Sequence, residues 1–221
     1  MKKNIRELDL INLTSEYNQP NFRAKQIYRW LWKKSIKNFD LITDLPEDFK
    51  KVLKKNFDLS YAEVKTKIVS QDGTIKYLFR LSDDLICEGV LIPQNDRFTA
   101  CISSQVGCSL SCQFCATGTM KRARNILASE IFDQVFLIMK ECEKIYGKKL
   151  TNIVYMGMGE PFLNYQNVIK SIKYITNKEG LDFSKRRITL STVGISKMIK
   201  QFALEDTGVN LAISLHAACN I

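Results

Sequence analysis

The sequence lacks the features that would mark a membrane-embedded or exported protein. It has no run of about 18 apolar residues, so it predicts no membrane-spanning helix. Its amino terminus, Met-Lys-Lys-Asn-Ile-Arg-Glu, has no apolar core of a secretory signal peptide. Because free thiols persist mainly in the cytosol, the chain is expected to be cytoplasmic and to contact no membrane.

Acidic residues are the minority charge. The 221 residues include 33 Lys and Arg against 23 Asp and Glu, and the formal net charge is +10. This excess favours a polyanionic partner, although a Lys-rich surface can equally be a solvated face. The length allows one large or two small domains with enough apolar side chains for a core.

Histidine is nearly absent, because His216 is the only one. The seven cysteines are an odd number, which argues against a framework of disulfides. Three of them, Cys108, Cys112 and Cys115, form a C-x3-C-x2-C run that can hold three irons of a [4Fe–4S] cube. The fourth iron would stay open to a small chelating molecule. A zinc site with Cys101 as fourth ligand, or a loop without metal, remains open on spacing alone.

Three regions follow one another along the chain. Residues 1–58 have helical periodicity and predict a small helical domain with basic outer faces, similar to an RNA-binding module. Residues 59–100 alternate apolar and polar side chains, which predicts antiparallel hairpins leading into the cysteine loop. Residues 101–221 alternate short apolar strands with helices, which predicts a parallel sheet with crossover helices.

Glycines and polar side chains stand where the strands of this predicted sheet end. Catalytic groups in such sheets gather at the carboxyl ends of the strands. A Gly-x-Gly turn is usually only a turn, and a lone histidine is usually a packed or surface residue. Their shared location beside the cysteine loop instead favours a binding site, in which Glu160 holds an ammonium group. The three strand ends are Gly157 to Pro161, Ser191 to Gly194, and Ser214 to His216.

Together these motifs resemble the RlmN family of radical S-adenosylmethionine (SAM) methyltransferases, which methylate C2 of an adenosine in 23S rRNA and in certain tRNAs. The sister family that methylates C8 of the same rRNA adenosine shares the cluster motif. Pro161 after Glu160, and the Cys-Ala-Thr-Gly-Thr loop, resemble the C2 enzymes more. The likeness covers nearly the whole chain in order. Its stretches are Gln19 to Leu53 in outline, Glu88 to Pro93, Cys101 to Gly118, Met156 to Pro161, Ser184 to Gly194 and Leu211 to Ala217.

The resemblance implies an α/β fold: a partial (β/α) barrel of the radical SAM type, preceded by a small helical domain and antiparallel hairpins. It implies a [4Fe–4S] cluster and SAM as cofactors, 23S rRNA and tRNA as partners, an electron donor such as flavodoxin or ferredoxin, and a monomer when complete. It makes Glu88 a proton acceptor and Cys101 the cysteine that resolves a covalent enzyme–RNA adduct. The implied cluster ligands are Cys108, Cys112 and Cys115, and the implied SAM-binding residues are Gly159, Glu160, Ser191, Ser214, Leu215 and His216.

In that family's mechanism one SAM methylates a carboxyl-terminal cysteine, and a second is cleaved to a radical that abstracts hydrogen from the new methyl group. The methylene radical then adds to the adenine carbon. Because an aromatic C2 is not nucleophilic, a cofactor must carry this step. Cys219 does not match the methyl-carrying position. The chain is therefore expected to be truncated at its carboxyl end, and a non-catalytic RNA- or metal-binding remnant is the alternative to an active enzyme.

Overall fold

The computed structural model describes residues 2–110 and 112–215. The chain divides into two compact units. The first comprises Met1–Tyr61 with Ile172–Phe183, and the second comprises Ala62–Ser171 with Ser184–Ile221. Both helices and sheets are present, as the predicted α/β class requires.

The first unit is mainly helical, as the periodicity of its sequence predicts. Trp32 belongs to its core, since its ring stacks on that of Tyr174 with a centroid distance of 3.7 Å. The Arg6 guanidinium lies over the same tryptophan, 4.7 Å from the ring centroid. The elements are β1 (Lys3–Asn4), α1 (Leu10–Glu16), α2 (Phe22–Trp32), α3 (Glu47–Asn56) and β2 (Phe57–Asp58), with β1 parallel to β2.

The second unit contains a seven-stranded mixed sheet. Three antiparallel pairings join its first four strands, and three parallel pairings join its last four. A separate antiparallel pair of two-residue strands, β7 (Gln105–Val106) and β8 (Arg124–Asn125), closes the base of the cysteine loop. The sheet strands are β3 (Glu63–Val69), β4 (Ile75–Arg80), β5 (Ile86–Gln94), β6 (Arg97–Cys101), β9 (Asn152–Tyr155), β10 (Ile188–Thr192) and β11 (Asn210–Ile213), in the spatial order β11-β10-β9-β6-β5-β4-β3.

Strand β6 joins the two halves of this sheet. It runs antiparallel to β5 and parallel to β9, so that Cys101 stands between Val90 and Val154. The alternating pattern of residues 59–100 does not mark β6 as a strand of its own. The hairpins and the parallel strands therefore share one continuous ladder of backbone hydrogen bonds.

One face of the hairpin strands is covered by helix α4 (Ala128–Tyr146). A Cβ built on Gly89 would lie 3.5 Å from Cδ1 of Ile138 in this helix, so Gly89 faces α4. Because side chains alternate along a strand, Glu88 and Val90 face the other way. Val90 is the partner of Cys101 across the ladder, and Cys101 therefore shares this second face with Glu88.

The remaining helices connect the parallel strands. They are α5 (Tyr165–Thr176) between β9 and β10 and α6 (Ser196–Leu204) between β10 and β11, as the alternating pattern predicts. Within the described residues, no helix is both long and apolar enough to cross a membrane.

Candidate active site

The cysteine loop and the carboxyl ends of the last three strands meet around one cavity. Its volume is about 420 Å³. The positions of these residues at strand ends and in the cysteine loop predict this meeting, and the structure brings most of them together. The predicted site residues that line the cavity are Cys108, Cys112, Cys115, Gly159, Glu160, Ser191 and Ser214.

Glu160 is a buried carboxylate that bridges two strand ends. The residue is only 4% exposed. One carboxylate oxygen accepts the N–H of Phe162 at 3.0 Å, and the other accepts the N–H of Val193 at 3.0 Å. These two backbone donors hold the carboxylate in a fixed orientation. Each oxygen keeps acceptor capacity, so an ammonium group in the cavity could be bound here.

The two glycines before Glu160 are required by close packing. Gly159 has a φ of +93°, and a Cβ there would lie 2.4 Å from Cβ of Gln105. A Cβ on Gly157 would lie 2.6 Å from Oγ of Ser103. That hydroxyl accepts the Met158 N–H at 2.8 Å, so no larger residue fits without moving the turn. The glycines thus let the turn after β9 pack directly on the chain entering the cysteine loop.

The cysteine loop is folded on itself by backbone contacts. The Cys115 N–H donates to the carbonyl of Cys112 at 3.0 Å. A Cβ on Gly118 would lie 2.7 Å from that same carbonyl, and Gly107 packs as closely against Lys121. The Leu110 N–H lies 3.4 Å from Sγ of Cys108.

Three thiols in one cavity form the donor set of an iron–sulfur cluster with one open iron, so the residues fit that group in kind. Across residues 2–110 and 112–215, however, no three His, Cys, Asp or Glu side chains lie close enough together to hold a metal ion. Cys101, the fourth ligand of the zinc alternative, is not among the side chains that line the cavity.

The ends of β10 and β11 place two hydroxyls side by side. Oγ of Ser191 lies 3.1 Å from Oγ of Ser214. The parallel register pairs Ser191 with Ala212. Ser214 is two residues after Ala212 and therefore lies on the same face as Ser191. Leu215 is exposed and does not line the cavity. His216, also predicted to bind SAM, lies outside the described residues, as does Cys219.

Glu88 and Cys101 lie on the sheet itself rather than in the wall of this cavity. The Glu88 carboxylate pairs with the Lys76 ammonium at 2.8 Å, and both side chains are about half exposed. The Glu88 carbonyl accepts a hydrogen bond from Oγ of Ser103 at 2.6 Å. Burial raises the pKa of the Cys101 thiol above its ordinary value, with a hydrogen bond to the Met156 backbone opposing this in part. Cys101 is therefore a protonated thiol at neutral pH.

The basic residues near the cysteine loop have different partners. Lys121 and Arg122 are exposed, as a contact with phosphate would require. Arg124 instead forms a bidentate pair with Asp83, at 2.6 and 2.7 Å, and also pairs with the buried Glu130 at 2.8 Å. The sequence alone does not reveal this role, because Asp83 is 41 residues away along the chain.

Gln105 and Asn164 are two further residues of the site that no sequence motif marks. Both are buried. Nδ2 of Asn164 donates to the carbonyls of Ser104 and Ile126, each at 2.7 Å. Gln105 follows two serines and Asn164 precedes α5, so neither stands out from its neighbours in the sequence. Glu160, Ser104 and Ile126, which they bind, lie 38 to 60 residues away from them.

Two family models match the sequence. The radical SAM superfamily model matches residues 102–220, more than half of the chain. A second model, the ribosomal RNA large subunit methyltransferase N-terminal domain, matches residues 3–59. The two matches together cover 176 of the 221 residues and leave residues 60–101 between them.

Curated relatives agree with these models. A protein of Cytophaga hutchinsonii named "Probable dual-specificity RNA methyltransferase RlmN" is 50% identical over all of this chain and 61% of its own length. One of Flavobacterium johnsoniae with the same name is 48% identical over 98% of this chain and 63% of its own. A "Dual-specificity RNA methyltransferase RlmN" of Desulfotalea psychrophila is 43% identical over 97% and 61%.

A solved structure has the same fold. The crystal structure of a radical SAM methyltransferase from Sphaerobacter thermophilus matches with a TM-score of 0.85 and 38% identity. The match covers 97% of this chain and 64% of that one. The chain thus spans somewhat over six tenths of the length of the relatives it matches. From its cavity, its two family models and these relatives, the chain belongs to the radical SAM superfamily and, within it, to the RlmN family.

Proposed function

We propose that the chain is the cofactor-binding part of a radical SAM RNA methyltransferase that methylates C2 of adenosine in 23S rRNA and tRNA. The observation that carries the proposal is the cavity whose lining residues include the three cysteines, Glu160, Ser191 and Ser214. The names of the relatives, dual-specificity RNA methyltransferases, support the RNA substrate.

Each group in the cavity has a proposed partner. Cys108, Cys112 and Cys115 would hold three irons of a [4Fe–4S] cluster, and the fourth would be left to SAM. When bound, the cluster and SAM together supply a carbon radical strong enough to activate a methyl group. Glu160, held by two backbone N–H groups, would accept the ammonium of the methionine moiety. Gly159 gives that moiety room to approach the backbone. The remaining proposed SAM contacts are Ser191, Ser214, Leu215 and His216.

The sheet face beside the cavity would serve the RNA base. Glu88 is the proposed acceptor of the proton that leaves the adenine ring, and Lys76 holds its carboxylate in place. Cys101 lies on the same face as a partly buried thiol. A thiol in this state can attack only after it loses its proton, and the Glu88 carboxylate is the titratable acceptor that shares its face.

The proposed enzyme also has a domain organisation and partners. The four parallel strands would be part of a (β/α) barrel, with residues 1–58 as the RNA-binding domain, residues 59–100 as the antiparallel extension and the remainder as the radical SAM core. The net charge of +10 suits a polyanionic substrate. A small redox protein such as flavodoxin or ferredoxin would reduce the cluster in the cytoplasm, and the complete protein would act as a monomer.

The cofactor assignment is tested by anaerobic reconstitution with iron and sulfide, followed by incubation with SAM and dithionite. We expect a broad cluster absorbance and release of 5′-deoxyadenosine. The Cys112→Ala variant should lose both, whereas Cys142→Ala, which changes a buried cysteine of α4 outside the cavity, should keep both. Bound zinc without SAM cleavage would sink the proposal.

The substrate assignment needs a separate test. Nucleosides from 23S rRNA and tRNA are compared by mass spectrometry between cells with and without the gene that encodes the chain. Loss of C2-methyladenosine from both RNAs is expected upon deletion. Loss of C8-methyladenosine instead would assign the chain to the chemistry of the sister family.

A further inference from the structure

One fully buried side chain ties the cysteine loop to the turn that carries Glu160. Gln105 is 0% exposed and stands three residues before Cys108. Its Oε1 accepts the Glu160 N–H at 2.9 Å, and its Nε2 donates to Oδ1 of Asn125 at 2.8 Å. Its own backbone N–H donates to the carbonyl of Met158 at 3.1 Å. Three segments of the chain therefore meet at one amide.

The chain that leaves the cysteine loop is bound to the same turn. Nδ2 of Asn125 donates to the carbonyl of Leu163 at 3.2 Å. Asn164 donates to Ser104 on the entering side and to Ile126 on the leaving side. Both ends of the loop are thus attached, by side-chain amides, to the segment 160–164.

The identity of the residue matters, because Gln105 both accepts and donates. A glutamate would keep the acceptor for the Glu160 N–H but would set a second acceptor against Oδ1 of Asn125. Asn125 cannot simply turn its amide over, since its oxygen also accepts from Arg122 at 3.2 Å and its nitrogen serves Leu163. Leucine would remove both hydrogen bonds while keeping most of the volume. A fully satisfied buried amide of this kind specifies a single arrangement of its neighbours.

We infer that Gln105 is a positioning residue that sets the distance between the three thiols and the Glu160 carboxylate. The inference rests on the proposed function, in which these groups hold the cluster and the ammonium of SAM. One SAM molecule must then contact the cluster and the Glu160 carboxylate at the same time. The distance between these two groups therefore has to be held to within about 0.5 Å. The Gln105 side chain binds neither the thiols nor the Glu160 carboxylate. It fixes the backbone segments that carry them.

The test compares Gln105→Leu with the wild-type chain after reconstitution. Three quantities are measured: iron per chain, the dissociation constant of SAM by equilibrium dialysis, and the change that SAM causes in the electron paramagnetic resonance spectrum of the reduced cluster. We expect an unchanged iron content and a smaller spectral change on adding SAM. SAM binding should be about tenfold weaker, which is the usual effect of removing a residue that orients the ligands of a site. Gln94→Leu, an exposed glutamine at the end of β5, is the matched control and should behave as wild type.

Two results would overturn the inference. Wild-type SAM affinity in Gln105→Leu would show that the amide does not set the spacing. Loss of iron in that variant would show that Gln105 only holds the loop together. If the wild-type chain binds neither iron nor SAM, it is the proposed function that fails.

Hydrogen exchange of the apoprotein gives an independent measurement. The Glu160 amide should exchange faster in Gln105→Leu than in wild type, with the other amides of the sheet unchanged. Should Gln105→Leu fail to fold, Asn125→Ala takes its place, because Asn125 is only half-buried and its removal still releases Nε2 of Gln105. Asn125→Ala is expected to weaken SAM binding in the same direction, and an unchanged affinity there would overturn the inference as well.

Discussion

The ammonium of Lys76 on β4 lies 2.8 Å from the carboxylate of Glu88 on β5. Both side chains are about half exposed, so the pair contributes little to stability. We expect Lys76→Ala to lower the free energy of unfolding by less than about 1 kcal/mol. A double-mutant cycle with Glu88→Ala should give a coupling of about 0.2–1 kcal/mol that decreases with added salt. A coupling that persists in 1 M salt would contradict this description of the pair.

Arg124 should be far more important for stability. Its removal leaves the Glu130 carboxylate, which is 2% exposed, without its cation. Arg124→Gln is expected to lower the free energy of unfolding in urea by about 2–4 kcal/mol, because an uncompensated buried charge is costly. Arg80→Gln is the matched control, since the pair of Arg80 with Glu63 is exposed. A loss in Arg124→Gln no larger than in that control would refute the assignment.

The same cluster predicts a dependence of stability on pH. Burial alone would raise the pKa of Glu130, but hydrogen bonds from Arg124, from the Leu127 N–H and from Ser82 outweigh it and lower the pKa below 4.5. A carboxyl whose folded pKa is lowered stabilises the fold above its unfolded pKa, and this contribution is lost as the pH falls through the folded value. Wild-type stability should therefore decline below about pH 4.5 more steeply than that of Arg124→Gln. Urea unfolding at a series of pH values measures the two slopes, and equal slopes would contradict the prediction.

Gly159→Ala should disturb both folding and SAM binding. The residue has a φ of +93° and a Cβ there would meet Gln105 at 2.4 Å. Gly147→Ala provides the control, because Gly147 also has a positive φ but nothing lies within 4 Å of its added Cβ. We expect Gly147→Ala to cost about 1–2 kcal/mol through backbone strain alone, with SAM binding intact. A Gly159→Ala variant that bound SAM normally would show that the turn adapts.

Cys101 should react slowly with iodoacetamide at neutral pH. Burial raises the pKa of its thiol above the ordinary value of 9.0, and only the thiolate is alkylated. The rate, measured by mass spectrometry of the peptide that contains Cys101, should still be increasing above pH 9. The same cysteine in the urea-unfolded chain serves as the reference. A rate that reaches its plateau by pH 8 in the folded chain would exclude a raised pKa.

Local patterns in the sequence were sufficient for most helices and strands. Period-3.6 and period-2 runs are set by which side of an element is buried, so α4 and β4 could be predicted from their own residues. Strand β6 was not, because its five residues from Arg97 to Cys101 run on into Ile102 with no glycine or proline directly after them to end the strand. Its identity as a strand depends on partners on both sides.

The candidate site divides in the same way. Cys108 and Glu160 lie in motifs whose residue types and spacing carry their chemistry, and they could be found by reading along the chain. Gln105 binds Asn125 and Glu160, and Arg124 binds Asp83, which are 20 to 55 residues away, so these contacts depend on the folded backbone. Roles of Glu88 and Cys101 came from the family resemblance, and they stay predictions.

The double pairing of β6 has a mechanical consequence. The hairpin strands and the parallel strands share β6, so backbone hydrogen bonds continue from one part of the sheet into the other. The sheet therefore has no boundary between these parts at which it could open. The hairpins should therefore not peel away before the rest, and the second unit should melt in a single cooperative transition. Cofactor loss and disruption of the face that carries Glu88 would then occur together, as one event rather than two.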